Sequence, residues 1–573
     1  MPVQNADIAR IFTEVADLLE IEDANPFRVR AYRTAAQTLR QESRRVADMV
    51  ADGADLSELE NIGEDLAGKI ETIVETGSLP LLEELEGRTP APLADLMHIE
   101  GLGPKRVRRL HEELGITTRE ELKAAAEQEK IRALEGFGET MEQNILDRID
   151  QAAEQRTLWA EAEPVATALA DHLRGADGVD RVAVAGSFRR RKETVGDLDV
   201  LVLADDSVPV MDRFVDYEDV ADVLAEGDTR ASVVFRSGLQ VDVRVVPSNS
   251  YGAALLYFTG SKAHNVALRN RALDRDLKIN EYGVFETNGE EAPVGGATEE
   301  EMYDTLGLPY IVPELREQRG EIEAAEAGTL PALIEADDLR GNLHTHTTDS
   351  DGAASIQEMA DAAAERGFEY LAITDHSPHV GIVNGLDADA LRHQVDRIHA
   401  LNDERDDLTL LAGIEVDILK DGALDLPDDV LAALDVCIAA VHTNLGLSEE
   451  VQTERILRAL DNPHVHMLAH PTGRRMGQRA PYDLDVPRLI EGAAERGVIL
   501  ELNAQPDRLD LNDTYCKAAK EAGVMIAIGA DAHRPDSLDL LHYGVAQARR
   551  GWLTAEDVLN TRTWPEVKVL IDR

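Results

Sequence analysis

The chain has 573 residues, enough for three or four domains that each bury a core. Nowhere do eighteen apolar residues run together, and Met1 to Phe12 shows neither a basic lead nor an apolar stretch, so no membrane span or secretory leader is expected and a cytoplasmic location is. The formal charge of −52, with 11 lysines against 47 arginines, suits the cytoplasm of an extreme halophile, where concentrated salt screens the self-repulsion of a carboxylate-rich surface. Cys437 and Cys516 lack metal-type spacing, which argues against a disulfide framework or a zinc ribbon. So acidic a protein would ordinarily avoid nucleic acid, yet the cations are clustered. Six arginines stand between Arg28 and Arg45 against the single acid Glu42, and Lys105 to Arg109 and Arg189 to Lys192 each hold four basic residues. Local patches of this kind can track phosphates.

Residues 1 to about 155 read as helices, with Ile8, Ile11, Phe12, Val15, Leu18 and Leu19 at three- and four-residue spacing. Three glycine turns recur, each after an apolar position and at the opening of a helix. They are Asn61-Ile62-Gly63, Gly101-Leu102-Gly103-Pro104-Lys105 and Gly136-Phe137-Gly138. They resemble helix-hairpin-helix motifs, in which backbone amides at a helix start approach a DNA phosphate. The first turn has Asn61 where a leading glycine would stand.

From Val182 an apolar run breaks at Gly186-Ser187, passes the four basic residues and re-enters an apolar run through Asp197-Leu198-Asp199, a strand–turn–strand pattern. Alternation puts Asp197 and Asp199 on one face, where two carboxylates favour a hard divalent cation. Gly186 and Ser187 offer amides and a hydroxyl to a phosphate, and Arg189 to Lys192 can balance a polyanion. A second alternating strand, Gln240 to Val246, carries Asp242 and Arg244 on one face. Beside the first strand, Asp242 would complete a three-carboxylate site for nucleotidyl transfer. Residues 309–338 turn acidic, alanine-rich and proline-punctuated, as an interdomain connector with a solvated helix would.

Beyond Leu339, seven apolar runs end in polar or ionisable residues with helical patterns between them, which argues a (β/α)7 barrel whose strand ends converge on one mouth. His344, His346, Asp351, His376, Glu415, His442, His470, Asp531 and His533 supply nine N/O ligands. That number suits a trinuclear centre bridged by Glu415. Arg474 and Arg475, just past His470, could hold a nucleic-acid phosphate.

These stretches carry two resemblances. Gly186 to Asp199, Val241-Asp242-Val243-Arg244, Leu256-Tyr257-Phe258-Thr259-Gly260-Ser261 and Lys278-Ile279-Asn280-Glu281-Tyr282-Gly283 resemble the family X DNA polymerases, the group that includes polymerase beta. The resemblance implies that Asp197, Asp199 and Asp242 bind Mg²⁺ or Mn²⁺ with Asp242 nearest the primer end. It implies that Gly186, Ser187, Arg190 and Gly196 meet the triphosphate, that Tyr257, Phe258 and Gly260 lie along the sugar, and that Asn265 and Arg269 face nucleotide and template. The first helical domain resembles the family's lyase module with Lys69 at the Schiff-base position, although the neighbouring acids Glu64, Asp65 and Glu71 disfavour a nucleophilic amine. His-x-His, Thr-Asp-His and Asp-x-His resemble the PHP phosphoesterase domain, which implies two or three divalent ions, Mn²⁺ or Zn²⁺. One would lie among His344, His346, Glu415 and Asp531, a second among Glu415, His442 and His470, and a third among Asp351, His376 and His533.

The expected architecture is multidomain, α and α/β. It comprises a lyase-like helical domain (1–88), helix-hairpin-helix fingers (89–158), a polymerase beta-like nucleotidyltransferase palm (159–247), a thumb (248–312), a linker (313–338) and a distorted (β/α)7 PHP barrel (339–573). The expected function is a monomeric, gap-filling repair polymerase acting on primer-template DNA and deoxynucleoside triphosphates. Its barrel would trim 3′-ends, cleave abasic sites or remove 3′-phosphates. The rivals are a histidinol-phosphatase-like phosphomonoesterase with a non-catalytic N-terminal module, which the intact Asp197, Asp199 and Asp242 oppose, and a template-independent nucleotidyltransferase, which the three glycine turns oppose.

Overall fold

The structure is a computed structural model that describes residues 5–145 without 23, 42–45, 52–53, 60, 77, 87, 90–92, 94–95, 97–101, 118, 129, 135–136, 139–140 and 144, and residues 156–572 without 288–292 and 380–382. They fall into two compact units, residues 1–155 and 156–573. In the first, apolar spacing puts Ile8, Phe12, Val15 and Leu19 of α1 (Asn5–Ile21) in a core. α2 (Pro26–Gln41) sets Tyr32 edge-on to Phe12 with ring centroids 5.3 Å apart. α3 (Glu64–Thr76) opens after Gly63 and α4 (Pro104–Leu114) after Gly103. Asn61 adopts φ +60°, the left-handed conformation that asparagine reaches more readily than most residues, so the first turn forms without its glycine. Gly103 gives α4 no side-chain cap, which leaves amides at its start for an outside acceptor. The predicted contacts Gly101 and Gly136 lie outside the described residues.

The second unit begins with α5 (Trp159–Arg174) and a five-stranded sheet. Its strands are β1 (Val179–Val184), β2 (Asp197–Ala204), β3 (Val220–Glu226), β4 (Arg230–Phe235) and β5 (Gln240–Val246), in the order β1-β2-β5-β4-β3. β2 and β5 are parallel neighbours. Their inward residues Leu198, Val200, Val241 and Val243 pack with Ala162, Ala166 and Leu169 of α5. Between β1 and β2 the expected turn contains one short helical turn, Gly186–Arg189. α6 (Tyr251–Thr259) and α7 (Lys262–Leu273) follow.

Residues 313–338 depart from the expected solvated connector. Arg316 and Glu321 are fully buried, and Ile322 and Ala325 join the core beneath α6 and α7. Arg316 donates to Glu299 at 2.6 Å, and Glu321 lies 2.6 Å from His264. Buried charges need such partners, and these partners are too remote in sequence to be seen in an acidic, alanine-rich stretch.

Seven parallel strands then pair in chain order. They are β6 (Gly341–Asn342), β7 (Tyr370–Ile373), β8 (Thr409–Asp417), β9 (Val436–Ala440), β10 (Met467–Leu468), β11 (Ile499–Asn503) and β12 (Ile526–Gly529). A parallel bridge from Thr345 to Ala532 links the end of the series to its beginning, which gives the expected (β/α)7 barrel. The helix α8 (Leu541–Arg550) is buried almost throughout, and Tyr543 and Ala546 sit with Leu509 in the core of the five-stranded sheet. Residues of the barrel therefore complete the apolar core of the sheet domain. Among the described residues no helix is long and apolar enough to cross a membrane.

Candidate active sites

Register decides the first site. Asp199 of β2 is the direct partner of Asp242 of β5, and Asp197 pairs with Gln240, so the three carboxylates stand on one face of two adjacent strands. Asp197 is exposed, Asp199 half-buried and Asp242 buried. Burial first, then the charges of Asp197 and Asp242, push the Asp199 carboxyl up to about 7. The Asp242 carboxylate accepts from Gln240 Nε2 at 2.9 Å, from Arg230 at 3.3 Å and from the Ser232 hydroxyl. Gly186, at φ +62°, brings the turn so close that a Cβ there would lie 2.6 Å from Asp199 Oδ2. Ser187 follows it on the same short turn, half-exposed. These carboxylates offer only hard oxygen donors, which fits Mg²⁺ or Mn²⁺.

Beside them Asn265 Nδ2 donates to the Tyr257 carbonyl at 2.7 Å, and a Cβ at Gly260 would meet Asn265 Oδ1 at 2.5 Å. Tyr257, Asn265, Arg269 and Asn280 line one depression. Phe258 packs under Arg244, whose guanidinium carbon is 4.5 Å from the ring centroid.

Arg190 departs from the expectation. It is buried, donating from Nε to Glu317 at 3.0 Å and from Nη1 to the Thr259 carbonyl at 2.7 Å. Its neighbours are engaged too. Arg189 forks onto Glu299 at 2.9 and 2.7 Å, and Arg191 lies 3.6 Å from Glu314. Much of the basic run is thus neutralised by acids between 299 and 317. In the other unit, the Lys69 amine is paired with Asp65 and lies 5.8 Å from the Tyr32 ring centroid.

The second site gathers all nine predicted ligands at one end of the barrel. Three groups have ligand atoms mutually within 4.8 Å: His346 with Asp351, His376 and His533; His344 with His346 and Asp531; and His376 with Glu415 and His442. Glu415 Oε2 is 3.6 Å from both His344 and His346, and Glu415 Oε1 is 2.9 Å from His470. Compared with the expected grouping, His346 also faces the Asp351 group and His376 also faces Glu415.

Burial, then the neighbouring His533 and His376, push His346 down to about 3, so its ring is neutral at physiological pH. Its Nδ1 and that of His470 are buried without a hydrogen-bond partner. His376 Nδ1 likewise lacks a hydrogen bond, although it lies 2.9 Å from Glu415, because the contact has the wrong direction. Burial lowers His376 and His442, but the acids beside them, Glu415 with Asp351 at His376 and Glu415 with Asp417 at His442, together outweigh it and hold them at about 10 and about 9. A divalent ion there would displace those protons. Orphaned imidazole nitrogens mixed with carboxylates fit borderline ions such as Mn²⁺ or Zn²⁺.

Several residues of this site were missed in sequence. Glu501 lies 2.6 Å from His344 Nδ1 and accepts the His470 amide at 2.7 Å, while Asp417 lies 3.0 Å from His442 Nδ1. Both orient ligand rings. Asp417 shares a strand face with Glu415 two residues away, a signal that alternation could have supplied. Arg508, 3.9 Å from Asp531, brings a cation to the rim. Arg474 is corrected: its guanidinium is forked onto Glu193 of the sheet domain at 3.1 and 2.7 Å and is nearly buried. Arg475 stands 3.4 Å from Asp507.

Known proteins resemble the chain in the same segments. Family models match a helix-hairpin-helix domain over residues 3–79, a SAM-like helix-hairpin-helix tandem over 93–151, a DNA polymerase beta thumb over 254–317 and a PHP domain over 342–474. Over 571 residues the chain is 39% identical to the DNA polymerase/3'-5' exonuclease PolX of Bacillus subtilis strain 168, covering 99% of each. It is 30% identical over 231 residues to a probable phosphatase of Thermoanaerobacter sp. strain X514, covering 38% of this chain and 89% of that one. A probable phosphatase of Caldanaerobacter subterraneus is also 30% identical, over 203 residues, covering 34% of this chain and 75% of the relative.

Proposed function

The chain belongs to family X of the DNA polymerases, in the branch that carries a PHP domain, and from that premise we propose that it fills short DNA gaps in repair and trims 3′-ends at the barrel. The observation that carries this reading is the in-register pair Asp199 and Asp242 on adjacent parallel strands, with Asp197 on the same face and the Gly186 turn pressed against Asp199. Asp197, Asp199 and Asp242 would hold Mg²⁺ or Mn²⁺, whose charge would offset that of the triphosphate and favour ionisation of the primer 3′-hydroxyl. The Gly186 and Ser187 amides and the Ser187 hydroxyl donate to the triphosphate, with Gly196 leaving room at the far end of the loop. Tyr257, Phe258 and Gly260 form the wall along the sugar, while Asn265 and Arg269 face nucleotide and template. Arg190 serves palm–thumb packing in this reading.

In the barrel, two or three ions among the nine ligands would supply Lewis acidity toward a phosphodiester. Glu501 and Asp417 hold the rings that bind them. Removal of nucleotides from 3′-ends is the principal reaction, with abasic sites and 3′-phosphates as further substrates of the same chemistry. Gly63, Gly103, Lys105 and Gly138 meet DNA phosphates in a cytoplasmic monomer. The domain limits proposed are 1–88, 89–158, 159–247, 248–312 and 339–573, with 313–338 packed onto the thumb. Lys69 contacts phosphate; Asp65 engages its amine, which competes with attack on an abasic sugar. A phosphomonoesterase with an idle N-terminal module is disfavoured, because the resemblance to PolX spans the whole chain.

Extension of a labelled primer across a short gap, in molar KCl with Mg²⁺ or Mn²⁺, tests the reading. Asp199→Asn is expected to slow extension on the order of 10³-fold while 3′-trimming persists. No extension by the wild-type protein would remove the polymerase assignment.

A further inference from the structure

We propose that the barrel positions the polymerase's phosphate loop, with Glu193 as the receiving residue in the palm and Arg474, Gln547 and Arg550 as the positioning residues in the barrel. The loop runs from the Gly186-Ser187 turn to Gly196-Asp197, so it joins the phosphate cradle to the first carboxylate. Within the palm its backbone is held by the Lys192 amide on the Ser187 carbonyl at 3.1 Å, the Arg191 amide on Phe188 at 2.9 Å, the Trp159 amide on the Glu193 carbonyl at 3.0 Å and Arg156 on the Thr194 carbonyl at 2.8 Å, none of which engages the Glu193 side chain. Arg191 sits at φ +54°, a conformation that a residue with a side chain keeps only when its surroundings hold it.

The barrel adds to those surroundings at two points. Glu193 accepts both Nη atoms of Arg474, at 3.1 and 2.7 Å, and Gln547 Nε2 at 3.2 Å. Arg550 Nη1 donates to the Arg190 carbonyl at 2.7 Å and to Glu317 at 3.1 Å, while Nη2 donates to Asp513 at 2.6 Å. A forked guanidinium–carboxylate pair fixes direction as well as distance. Because Arg474 and Arg550 are nearly buried, neither can relax into water without leaving a carboxylate or carbonyl unpaired. Glu193 is four residues before Asp197, and Arg474 four residues after His470, so one ion pair ties the frame of each site to the other.

This inference rests on the polymerase reading, and the experiment separates the two. Steady-state extension on gapped DNA is measured against deoxynucleoside triphosphate concentration, with 3′-trimming and the thermal midpoint recorded for each full-length variant. Glu193→Gln and Arg474→Met are each expected to raise KM for the nucleotide by roughly tenfold or more with kcat far less affected, because a small misplacement of the loop acts on nucleotide binding. The double variant should be no worse than either single one, since both remove the same pair. Fully additive effects, an unchanged KM, or a parallel fall of extension, trimming and thermal midpoint overturn the proposal. If the charge variants do not fold, Gln547→Leu decides: it keeps the ion pair, and a smaller rise in KM is expected, an unmoved KM being fatal. Absence of extension by the wild type removes the polymerase reading and this inference together, whereas wild-type extension with unmoved variants removes only the inference.

Discussion

The palm and the barrel gather acids in opposite ways. In the palm, carboxylates face carboxylates across two strands, and burial together with the charges of Asp197 and Asp242 raises Asp199 to about 7. In the barrel, imidazoles stand between the acids. Glu415 is held well below the usual carboxylate range against its own burial by His376, His442 and His344, and Asp531 by His344, His346 and His533. The first arrangement requires only the register of one strand pair. The second requires strand ends from around a closed barrel, because β6, β7, β8, β9, β10 and β12 each deliver a ligand at or just past their ends. The two sites therefore differ in how local their failure is, although they lie in one unit and the barrel contributes residues to the palm's core.

The largest effect expected from that difference follows removal of the residue that touches most of the barrel's ligands. Glu415→Ala should reduce 3′-trimming on the order of 10³-fold or more, while gap filling changes little. Labelled 3′-ends with and without nucleotide report both activities in one assay. If extension fell as far as trimming, the two sites would not be separate.

A smaller effect is expected from the residues that aim the rings. Glu501→Gln and Asp417→Asn leave all nine ligands in place but weaken the hold on His344 and on His442. A loss of about 10- to 100-fold in Mn²⁺ affinity is expected, read from the metal concentration that half-restores trimming after chelation. The palm contrasts here as well: its metal requirement for extension should not move. An unchanged barrel requirement would mean that barrel closure alone aims these rings.

The same contrast explains what was legible in sequence. Alternation placed Asp197 with Asp199, and strand-end positions picked out the nine candidate residues that the structure gathers at one end of the barrel, because both signals lie within a few residues. The pairing of Asp199 with Asp242 was only conditional, since nothing in a sequence states which strands are neighbours. Arg190 and Arg474 were misread as phosphate contacts for a related reason. An arginine near a site looks available until its acid is found, and Glu317 and Glu193 are 127 and 281 residues away. The solvated helix of 313–338 failed likewise on His264 and Glu299. Asn61 shows the reverse case, a departure from the glycine pattern that the left-handed backbone absorbs.

The smallest effect probes the seam between palm and barrel. Glu163 of α5 accepts the Tyr543 hydroxyl at 2.9 Å and lies 3.4 Å from His542 Nε2 on α8. Hydrogen bonding to His542 leads the causes that hold Glu163 below the usual carboxylate range. Burial pushes His542 down, but Glu163 and the Asp539 carbonyl together outweigh it and leave the imidazole above its ordinary value. The signs follow from linkage. The raised histidine contributes stability that is complete below the unfolded histidine value and lost as pH rises through the folded one. The lowered carboxylate contributes stability present above the unfolded carboxylate value and lost as pH falls through the folded one. Both contributions coexist only between those limits, from mildly acidic to near-neutral pH. The side chains are 43% and 34% exposed, so solvent screening limits the pair to about 0.2–1 kcal/mol. Glu163→Gln should therefore lower the thermal midpoint slightly near pH 6, with the difference from wild type narrowing at alkaline pH. Glutamine keeps the burial but offers the Tyr543 hydroxyl a weaker, uncharged acceptor, so a pH-independent deficit would assign the loss to that weakened hydrogen bond rather than to the ion pair with His542.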